Sequence, residues 1–402
     1  MRFGLTRMIF YLTLMLLAIG LTLVYSSSAG EALRELRSSH FKQIGTFASA
    51  PETPIAIQTL KILFKQVLAT IIGIIAMLIC YRIDYDKYKK WAFWLLLLSL
   101  VMLVFVFVPG IGVLINGARR WIRLGPIQFQ PSEFAKLALI IVLAKKLSER
   151  AHALKSFVKG LLPHLAIVGV VLGLIAPEPD LGTCLVIGFI TFVMFVVAGV
   201  PVKHLGFFMT AGVILAIIAV VVEPYRVRRV LVFLDPESDP LRSGYQLLQS
   251  LISVGSGGLF GVGLGQGPQK YLYMSEMRTD FIFSAICEEL GLVGGTVIVL
   301  LYVLFVWLGY CVATRVSDLY ACLLATGITT MIGGQALFHI VVVLGMAPTK
   351  GLTLPLISWG GSSLVVNLIA IGILLSVARV VETEFMAYSM PPRRGRPAPV
   401  TA

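Results

Sequence analysis

Three acidic side chains stand at the start of one long apolar run, Thr279-Asp-Phe-Ile-Phe-Ser-Ala-Ile-Cys-Glu-Glu-Leu. In a helix, Ser284 and Glu288 would follow Asp280 by four and eight residues, which places all three on roughly the same face. Glu289 would point to the opposite side. Ionisable side chains are expensive inside apolar segments and usually mark a functional site. This face is therefore the first candidate for chemistry.

Asp280 is followed by the apolar residues 281–283, which would partly shield its carboxylate from water. A carboxylate in such surroundings suits a general base, a role that contributes about 10²–10⁴ in rate. The position also suits a structural role, because Thr279 or Asp280 can serve as the N-cap of the following helix. The spacing alone leaves both interpretations open.

A second polar group lies in Gln130-Pro-Ser-Glu-Phe-Ala-Lys, at the start of another apolar run. Ser132 can cap a helix there. Glu133 and Lys136 are three residues apart, which lets them form an ion pair on that helix. A structural ion pair and a part of a binding site are both consistent with this spacing.

A third segment is Pro348-Thr-Lys-Gly-Leu-Thr-Leu-Pro-Leu-Ile-Ser-Trp-Gly-Gly-Ser-Ser, with two prolines and three glycines. These residues predict irregular backbone, which a membrane tolerates only where protein buries it or where it lines a cavity. Lys350 could present its ammonium group to a phosphate there. It could equally extend from a helix end toward the aqueous interface.

The composition points to a membrane protein. The chain has 402 residues, of which 58% are hydrophobic and 13% charged, too few charges to cover a soluble domain of this length. The five cysteines form no CxxC pair and no metal-ligand spacing. The formal charge of +13 has no soluble basic domain to carry it, so we expect anionic membrane lipid rather than nucleic acid as a partner.

Apolar runs long enough to cross a hydrocarbon core of about 30 Å recur along the whole chain. We predict an all-α, polytopic membrane protein with about ten spanning helices. The predicted spans are 8–26, 62–83, 91–108, 132–147, 162–177, 181–199, 205–222, 281–311, 319–344 and 362–381. Residues 1–382 then form a single transmembrane domain, and residues 383–402 form a disordered tail.

An even number of spans puts both termini on the same side of the membrane. The short basic connections 85–90 and 145–159 lie on that side with the basic tail, so the positive-inside rule makes it cytoplasmic. The long 223–280 loop, between the seventh and eighth spans, is then extracytoplasmic. It contains an amphipathic stretch from Tyr245 and a glycine-rich stretch, 255–267, which could approach a ligand closely or be flexible.

Basic residues also gather on the outer side, against the positive-inside rule. They are Arg119, Arg120, Arg123, Arg226, Arg228, Arg229 and Lys350. Such a group indicates an anionic ligand at the outer interface. The alternative is that these cations pair with outer acids or with lipid phosphates.

Taken in order, these segments resemble the SEDS family of shape, elongation, division and sporulation proteins, the FtsW/RodA/SpoVE group. The motifs that carry the resemblance are Gly117-Ala-Arg-Arg-Trp-Ile, Gln130-Pro-Ser-Glu-Phe-Ala-Lys, Pro177-Glu-Pro-Asp-Leu-Gly-Thr, Pro224-Tyr-Arg-Val-Arg-Arg, Gly244-Tyr-Gln, Thr279-Asp-Phe-Ile-Phe and the run from Pro348 to Ser363. The form Pro-Thr-Lys-Gly-Leu-Thr-Leu-Pro is more like the division and sporulation branch than the elongation branch, and most like FtsW-type members.

The resemblance implies a GT-C-like fold and a peptidoglycan glycosyltransferase that polymerises lipid II during cell division, in the bacterial cytoplasmic (inner) membrane. It implies Asp280 as the general base of an inverting reaction. The candidate substrate-binding residues are Arg119, Arg120, Trp121, Glu133, Lys136, Lys350 and Ser358, with Ser284, Glu288 and Arg226 in supporting roles. No metal ligands are assigned, and a divalent cation (Mg²⁺ or Mn²⁺) at the diphosphate stays open.

The implied partners are lipid II, a class B penicillin-binding protein with transpeptidase activity, and other membrane proteins of the division machinery. Two alternative functions stay open: a lipid II flippase, and a scaffold that only recruits the transpeptidase. A transporter needs a pathway across the whole membrane. The charges of this chain are concentrated at one face, which favours the enzyme.

Overall fold

The protein is a bundle of long helices with one small sheet. This computed structural model describes residues 4–43, 55–115, 118–125, 127–238, 244–269 and 277–389. The α-helices are α1 (Leu5–Gln43), α2 (Ile55–Arg82), α3 (Tyr85–Phe105), α4 (Pro131–Glu149), α5 (Leu162–Ile175), α6 (Leu181–Val197), α7 (Val202–Val221), α8 (Pro224–Leu234), α9 (Tyr245–Ser256), α10 (Ile282–Arg315), α11 (Leu319–Val343) and α12 (Gly361–Ser389). The described residues also include short 3₁₀ turns at Ala151–Lys155 and Pro236–Ser238 and a π-helical turn at Phe157–Leu161.

Eight helical segments in the described part are long and apolar enough to cross a membrane. They are Leu5–Ser28, Thr59–Arg82, Tyr85–Phe105, Phe157–Ile175, Val202–Val221, Ile282–Arg315, Leu319–Val343 and Gly361–Glu384. α6 is apolar but shorter, and α4 coincides with the predicted fourth span. Each predicted span therefore coincides with a helix, and the predicted multi-pass helical fold is confirmed.

The helices differ in how much of them other helices cover. Most residues of α4, α11 and α12 are buried, so these three form the centre of the bundle. α4 can carry a charged pair there because protein rather than lipid surrounds it. α7 buries none of its residues against the described chain. An apolar helix needs no protein cover in a membrane, because lipid tails are as apolar as its own side chains.

The segment between α3 and α4 contains an antiparallel sheet that the sequence did not predict. Its strands are β1 (Gly112–Ile115), β2 (Ala118–Leu124) and β3 (Ile127–Phe129), in the order β1-β2-β3. The register with β1 shifts opposite Arg120, so side chains do not alternate regularly along this part of β2. Arg119 is exposed, Arg120 and Trp121 are partly buried, and Ile122 is buried.

The long segment between α7 and α10 is folded rather than a plain connector. It contains α8 and α9. The predicted amphipathic stretch is α9, and its Ser250 hydroxyl donates to the Val343 carbonyl at the end of α11, at 2.9 Å. α9 is therefore packed on the bundle.

The glycine-rich segment after α9 packs against a break in α10. The break is at Gly291, where φ is +69° and ψ is −167°. Val262 donates its backbone N–H to the Glu288 carbonyl at 3.0 Å. Gly263 donates to the Glu289 carbonyl at 3.1 Å. These bonds satisfy carbonyls that the broken helix leaves without its own partners.

This close approach of two backbones explains the glycines. A Cβ on Gly257 would lie 1.9 Å from the Cys287 carbonyl oxygen, and one on Gly261 would lie 2.1 Å from that of Glu289. At these two positions the glycines therefore approach protein backbone. Neither flexibility nor close approach to a ligand, the two interpretations left open by the sequence, is needed to explain glycine at Gly257 and Gly261.

Candidate active site

Asp280 is partly buried in the turn that leads into α10. The N-cap of α10 is Phe281, with no side-chain cap among the described residues, so the predicted N-cap role of Thr279 or Asp280 is wrong. A Cβ on Gly351 would lie 2.7 Å from Asp280 Oδ2. The carboxylate therefore lies directly against the backbone that follows Lys350.

Hydrogen bonds fasten the irregular segment before α12 to the turn before α10. Ser358 Oγ donates to the Thr279 carbonyl at 2.7 Å and accepts from the Leu354 N–H at 2.8 Å. Trp359 donates its N–H to the Arg278 carbonyl at 2.9 Å, and the Arg278 guanidinium lies 4.7 Å from the Trp359 ring centroid. Ser358, a predicted substrate contact, is buried and joins the two segments inside the protein.

Lys350 lies in a group of mixed charge. Its neighbours include Asp180, Cys184, Arg226 and Arg229. Burial lowers the pKa of Lys350 below its usual range and the two arginines lower it further, whereas Cys184 and Asp180 raise it. Cations held this close together repel one another, so the group would favour an anionic ligand that offsets the repulsion.

α8 supplies the two arginines of this group. Arg226 donates to the Ala219 carbonyl at 2.7 Å. Arg229 donates to the Thr349 carbonyl at 2.9 Å, and its guanidinium lies 4.7 Å from the Tyr225 ring centroid. α8 is therefore bonded to the backbone immediately before the lysine.

The turn between α5 and α6 brings Arg120 to the same region. Arg120 donates to the Glu178 carbonyl at 2.9 Å and to that of the following proline at 2.6 Å. Asp180 caps α6, because it accepts from the N–H (3.1 Å) and the hydroxyl (2.8 Å) of Thr183. Since Asp180 also neighbours Lys350, the two predicted cations lie around one turn.

Glu178 is a buried acid that the sequence analysis did not select. It is 1% exposed, and its two carboxyl oxygens have no hydrogen-bond partner among the residues that the structure describes. Burial raises the pKa of Glu178 to about 9; Asp180 adds to the rise, and Arg120 opposes it. The group is therefore protonated at neutral pH. Its sequence, Pro-Glu-Pro-Asp, gives no signal that one acid is enclosed and the other caps a helix.

Glu133 and Lys136 form the ion pair that their spacing allows. Lys136 Nζ lies 2.9 Å from Glu133 Oε1 and donates to Gln335 Oε1 at 2.6 Å. Ser363 donates to the other Glu133 oxygen at 3.0 Å. Lys136 is 1% exposed and Glu133 is 5% exposed. This enclosure favours the structural interpretation that the spacing left open.

The predicted face of α10 is buried in helix packing. Ser284 and Glu288 are each 0% exposed. The Gln269 N–H donates to Glu288 Oε1 at 3.0 Å, which ties Glu288 to the segment that follows the glycines. Glu289 points the other way, as predicted, and accepts from Ser26 of α1 at 2.7 Å. Asp280 is thus the carboxylate of this run that is partly exposed.

The described residues offer few candidate ligands for a metal ion. They contain no group of three or more His, Cys, Asp or Glu side chains that could hold an ion. Mg²⁺ is usually bound by one or two carboxylates together with substrate phosphates. Asp280, which adjoins the Gly351 backbone, and Asp180, whose charge acts on Lys350, fit that smaller set. A divalent cation at the diphosphate therefore stays a prediction.

These observations define a multi-pass helical membrane protein whose site combines a partly buried carboxylate with basic side chains. The family model described as a cell cycle protein, for FtsW, RodA and SpoVE, matches residues 6–383. The chain belongs to this FtsW/RodA/SpoVE family, and the predicted family is confirmed.

Curated relatives match over nearly the whole chain. A stage V sporulation protein E of Bacillus subtilis (strain 168) is 43% identical over 368 residues, which cover 92% of this chain and 95% of the relative. A probable peptidoglycan glycosyltransferase FtsW of Geobacter sp. (strain M18) is 37% identical over 378 residues, which cover 93% and 97%. The name of the Geobacter relative gives the predicted enzyme class, peptidoglycan glycosyltransferase.

Solved structures share the fold. One chain comes from a structure described as structural coordination of polymerization and crosslinking by a peptidoglycan synthase complex. It is 32% identical, with a TM-score of 0.72 over 93% of this chain and 97% of that chain. The rod shape determining protein RodA of Thermus thermophilus is 30% identical, with a TM-score of 0.62 over 92% and 95%. The predicted SEDS fold is therefore confirmed.

Proposed function

We propose that this protein is a peptidoglycan glycosyltransferase that polymerises lipid II into glycan strands. The names of its relatives support the reaction class. The observation that carries the proposal is the approach of Asp280 to the Lys350–Gly351 backbone. It places a carboxylate against the backbone of the segment that carries Lys350. A reaction with a strongly anionic leaving group needs positive charge in the same site as its base.

In the proposed reaction, Asp280 accepts the proton of the acceptor's sugar hydroxyl. The hydroxyl oxygen forms a bond to the anomeric carbon of the donor while the bond from that carbon to the diphosphate breaks. Undecaprenyl diphosphate leaves with the bonding electron pair, and the anomeric configuration inverts. Lys350, Arg226 and Arg120 stabilise the charge that develops on the leaving oxygens. A divalent cation held by Asp280 or Asp180 at the diphosphate would add positive charge there.

In this proposal the buried candidate residues do not contact the substrate but hold the segments that form the site. Glu133 and Lys136 form an enclosed ion pair, and Ser358 fastens the turn before Asp280. Glu288 holds the segment that follows the glycines. These contacts give the site its shape, while Arg119 and Trp121 of β2 remain proposed contacts for the outer part of the substrate.

We further propose that the protein acts in septal wall synthesis, in the cytoplasmic membrane and with both termini in the cytoplasm. A class B penicillin-binding protein is its proposed partner, and the synthase complex that shares this fold supports that choice. Other membrane proteins of the division machinery would join the assembly. The relative named for sporulation favours a second candidate role, which depletion in dividing and in sporulating cells separates.

The test is polymerisation of purified lipid II in detergent by this chain with its transpeptidase partner. Wild type should produce glycan polymer, and Asp280→Asn should produce none. Asp84→Asn is the matched control, because it makes the same Asp-to-Asn change at another carboxylate. Asp84 pairs with Arg379, and neither residue is a candidate for the site. Normal polymer from Asp280→Asn would remove Asp280 as the base.

The same preparation distinguishes the alternatives. A lipid II flippase would make no polymer but would move the headgroup across vesicle membranes. A scaffold would do neither and would still bind the transpeptidase. Either pattern from the wild-type chain would contradict the proposed reaction.

A further inference from the structure

α11 turns two polar side chains, one helical turn apart, toward the irregular segment that carries Lys350. They are Gln335 and His339, and each is 1% exposed. Neither was a candidate from the sequence. Buried polar side chains are normally hydrogen-bonded, so their partners show which part of the chain they hold.

Both side chains hold backbone carbonyls of adjacent residues in that segment. His339 Nδ1 lies 2.6 Å from the Leu352 carbonyl oxygen, and because a carbonyl only accepts, Nδ1 must carry the proton. Gln335 Nε2 donates to the carbonyl (2.9 Å) and to the hydroxyl (3.2 Å) of Thr353. Two consecutive residues of irregular backbone are thus fixed to one rigid helix.

Fixing these residues determines where the residues just before them lie. The Leu352 N–H donates to the Lys350 carbonyl at 3.0 Å, which closes a tight turn around Gly351. Gly351 is the residue that lies against Asp280. A shift of the held carbonyls would therefore move the lysine and the glycine together relative to the Asp280 carboxylate.

Lys136, a residue of α4, determines which way the Gln335 amide points. Lys136 Nζ has only donors, so the oxygen of the amide faces it at 2.6 Å and the nitrogen faces Thr353. Lys136 is held in turn by Glu133 at 2.9 Å. The enclosed ion pair therefore reaches the Lys350 segment through one side chain of α11.

We propose that Gln335 and His339 are positioning residues that hold the Lys350–Gly351 backbone against Asp280, with Lys136 orienting the Gln335 amide. The inference rests on the proposed glycosyltransferase activity for its effect on rate. The positioning itself is independent of the reaction and can be measured without it. A misplacement of about 1 Å at a reacting group lowers rates on the order of 10²-fold.

Three substitutions separate positioning from general stability. Gln335→Glu keeps the size of the side chain and still accepts from Lys136, but it cannot donate to Thr353 when ionised. His339→Leu removes the donor to Leu352, and His339→Asn restores a donor close to the position of Nδ1. Thr326→Val, a buried substitution elsewhere on α11, is the matched control.

The experiment measures lipid II polymerisation, lipid II binding and hydrogen exchange of backbone amides 350–354. We expect Gln335→Glu and His339→Leu to lower turnover at saturating substrate by about 10–100-fold, with binding changed less than about threefold. Exchange at 350–354 should rise in both variants. His339→Asn should recover most of the turnover, and Thr326→Val should match wild type.

Unchanged turnover or unchanged exchange at 350–354 in both disrupting variants would overturn the inference. If wild type makes no polymer, the proposed function fails, while the exchange measurement still decides the positioning. If Gln335→Glu does not fold, the comparison of His339→Leu with His339→Asn still tests whether α11 positions the Lys350–Gly351 backbone. Loss of binding in proportion to turnover would also count against positioning.

Discussion

Gly351 approaches Asp280 so closely that a Cβ on the glycine would lie 2.7 Å from Asp280 Oδ2. The glycine is not needed for its backbone, because its φ is not among the positive values in this chain. Nor does the fold enclose it, since Gly351 is exposed. The absence of a side chain at this position therefore serves the carboxylate.

Gly351→Ala should consequently impair the reaction while leaving the fold intact. The added methyl group would push the Asp280 carboxylate out of place, and a displaced general base loses much of its contribution, about 10²-fold. Lipid II polymerisation should fall by roughly this factor. The thermal unfolding midpoint in detergent should stay close to that of wild type.

Gly169→Ala is the matched control for this substitution. Gly169 lies in α5, and a Cβ there meets nothing within 4 Å. Polymerisation should not change in this variant. Equal activity of Gly351→Ala and wild type would show that Asp280 need not keep this position.

Lys350→Ala should lower polymerisation by roughly 10²-fold, because one preorganised positive charge at a developing anion contributes about this much. Lys350→Arg should retain more activity, since it keeps the charge but changes the geometry of donation. Lys203→Ala, an exposed lysine of α7, controls for loss of charge alone. Equal activity of Lys350→Ala and the Lys203→Ala control would remove Lys350 from the site.

The sequence predicted the helices well because a membrane imposes length and apolarity on each span. It also predicted which way Glu289 points, since that follows from helical geometry alone. Asp280 and Lys350 could be selected because charge next to apolar or irregular segments is conspicuous. Their closeness could not be derived, because residues 70 apart in sequence meet only through tertiary packing.

Other parts of the site depend on contacts that local patterns do not encode. The β1–β3 sheet was missed because three short strands lie in a segment rich in turn residues. Gln335 and His339 carry no local signal, since polar residues in an apolar helix indicate burial without naming a partner. The glycines near Gly257 looked like a loop, whereas the structure pairs them with a broken helix.

Lys136→Ala should destabilise the protein, as the structural interpretation of the ion pair requires. The substitution leaves the Glu133 carboxylate buried without its cation, and breaking a buried pair in this way costs about 3–5 kcal/mol. Thermal unfolding in detergent measures the effect. An unfolding midpoint equal to that of wild type would contradict the enclosed ion pair.

The double variant Glu133→Gln with Lys136→Met tests the cause of that loss. It removes both charges, so no buried charge is left without a partner. Stability should recover relative to Lys136→Ala. Activity should stay low, because the Gln335 amide loses the group that orients it.

Glu178 should make stability fall as pH rises. Its pKa of about 9 in the folded protein exceeds the ordinary value of 4.5, so between these limits the folded state binds a proton that the unfolded chain has released. The unfolding free energy then falls with pH, by at most about 1.4 kcal/mol per unit. Glu178→Gln removes this titration, so its unfolding midpoint should vary less than that of wild type from pH 5 to 8.5. Equal slopes would contradict the protonated state.

Gly257→Ala and Gly255→Ala are a matched pair of variants, because the two glycines lie close together at the end of α9 but have different surroundings. A Cβ on Gly257 would lie 1.9 Å from the Cys287 carbonyl oxygen, whereas one on Gly255 meets nothing within 4 Å. Gly257→Ala must therefore push the glycine-rich segment off α10, and overpacking of this kind costs about 1–3 kcal/mol. Gly255→Ala should be neutral or stabilise α9 by about 0.5–1 kcal/mol, since alanine favours a helix over glycine.

Polymerisation should follow the same order as stability in this pair. The glycine-rich segment bonds to the carbonyls at the break in α10, and that break lies in the helix that Asp280 precedes. Moving the segment should therefore disturb the start of α10 as well as its middle. Hydrogen exchange of amides 282–293 should rise in Gly257→Ala and not in Gly255→Ala. Equal exchange in the two variants would mean that the broken helix holds its shape without the glycine-rich segment.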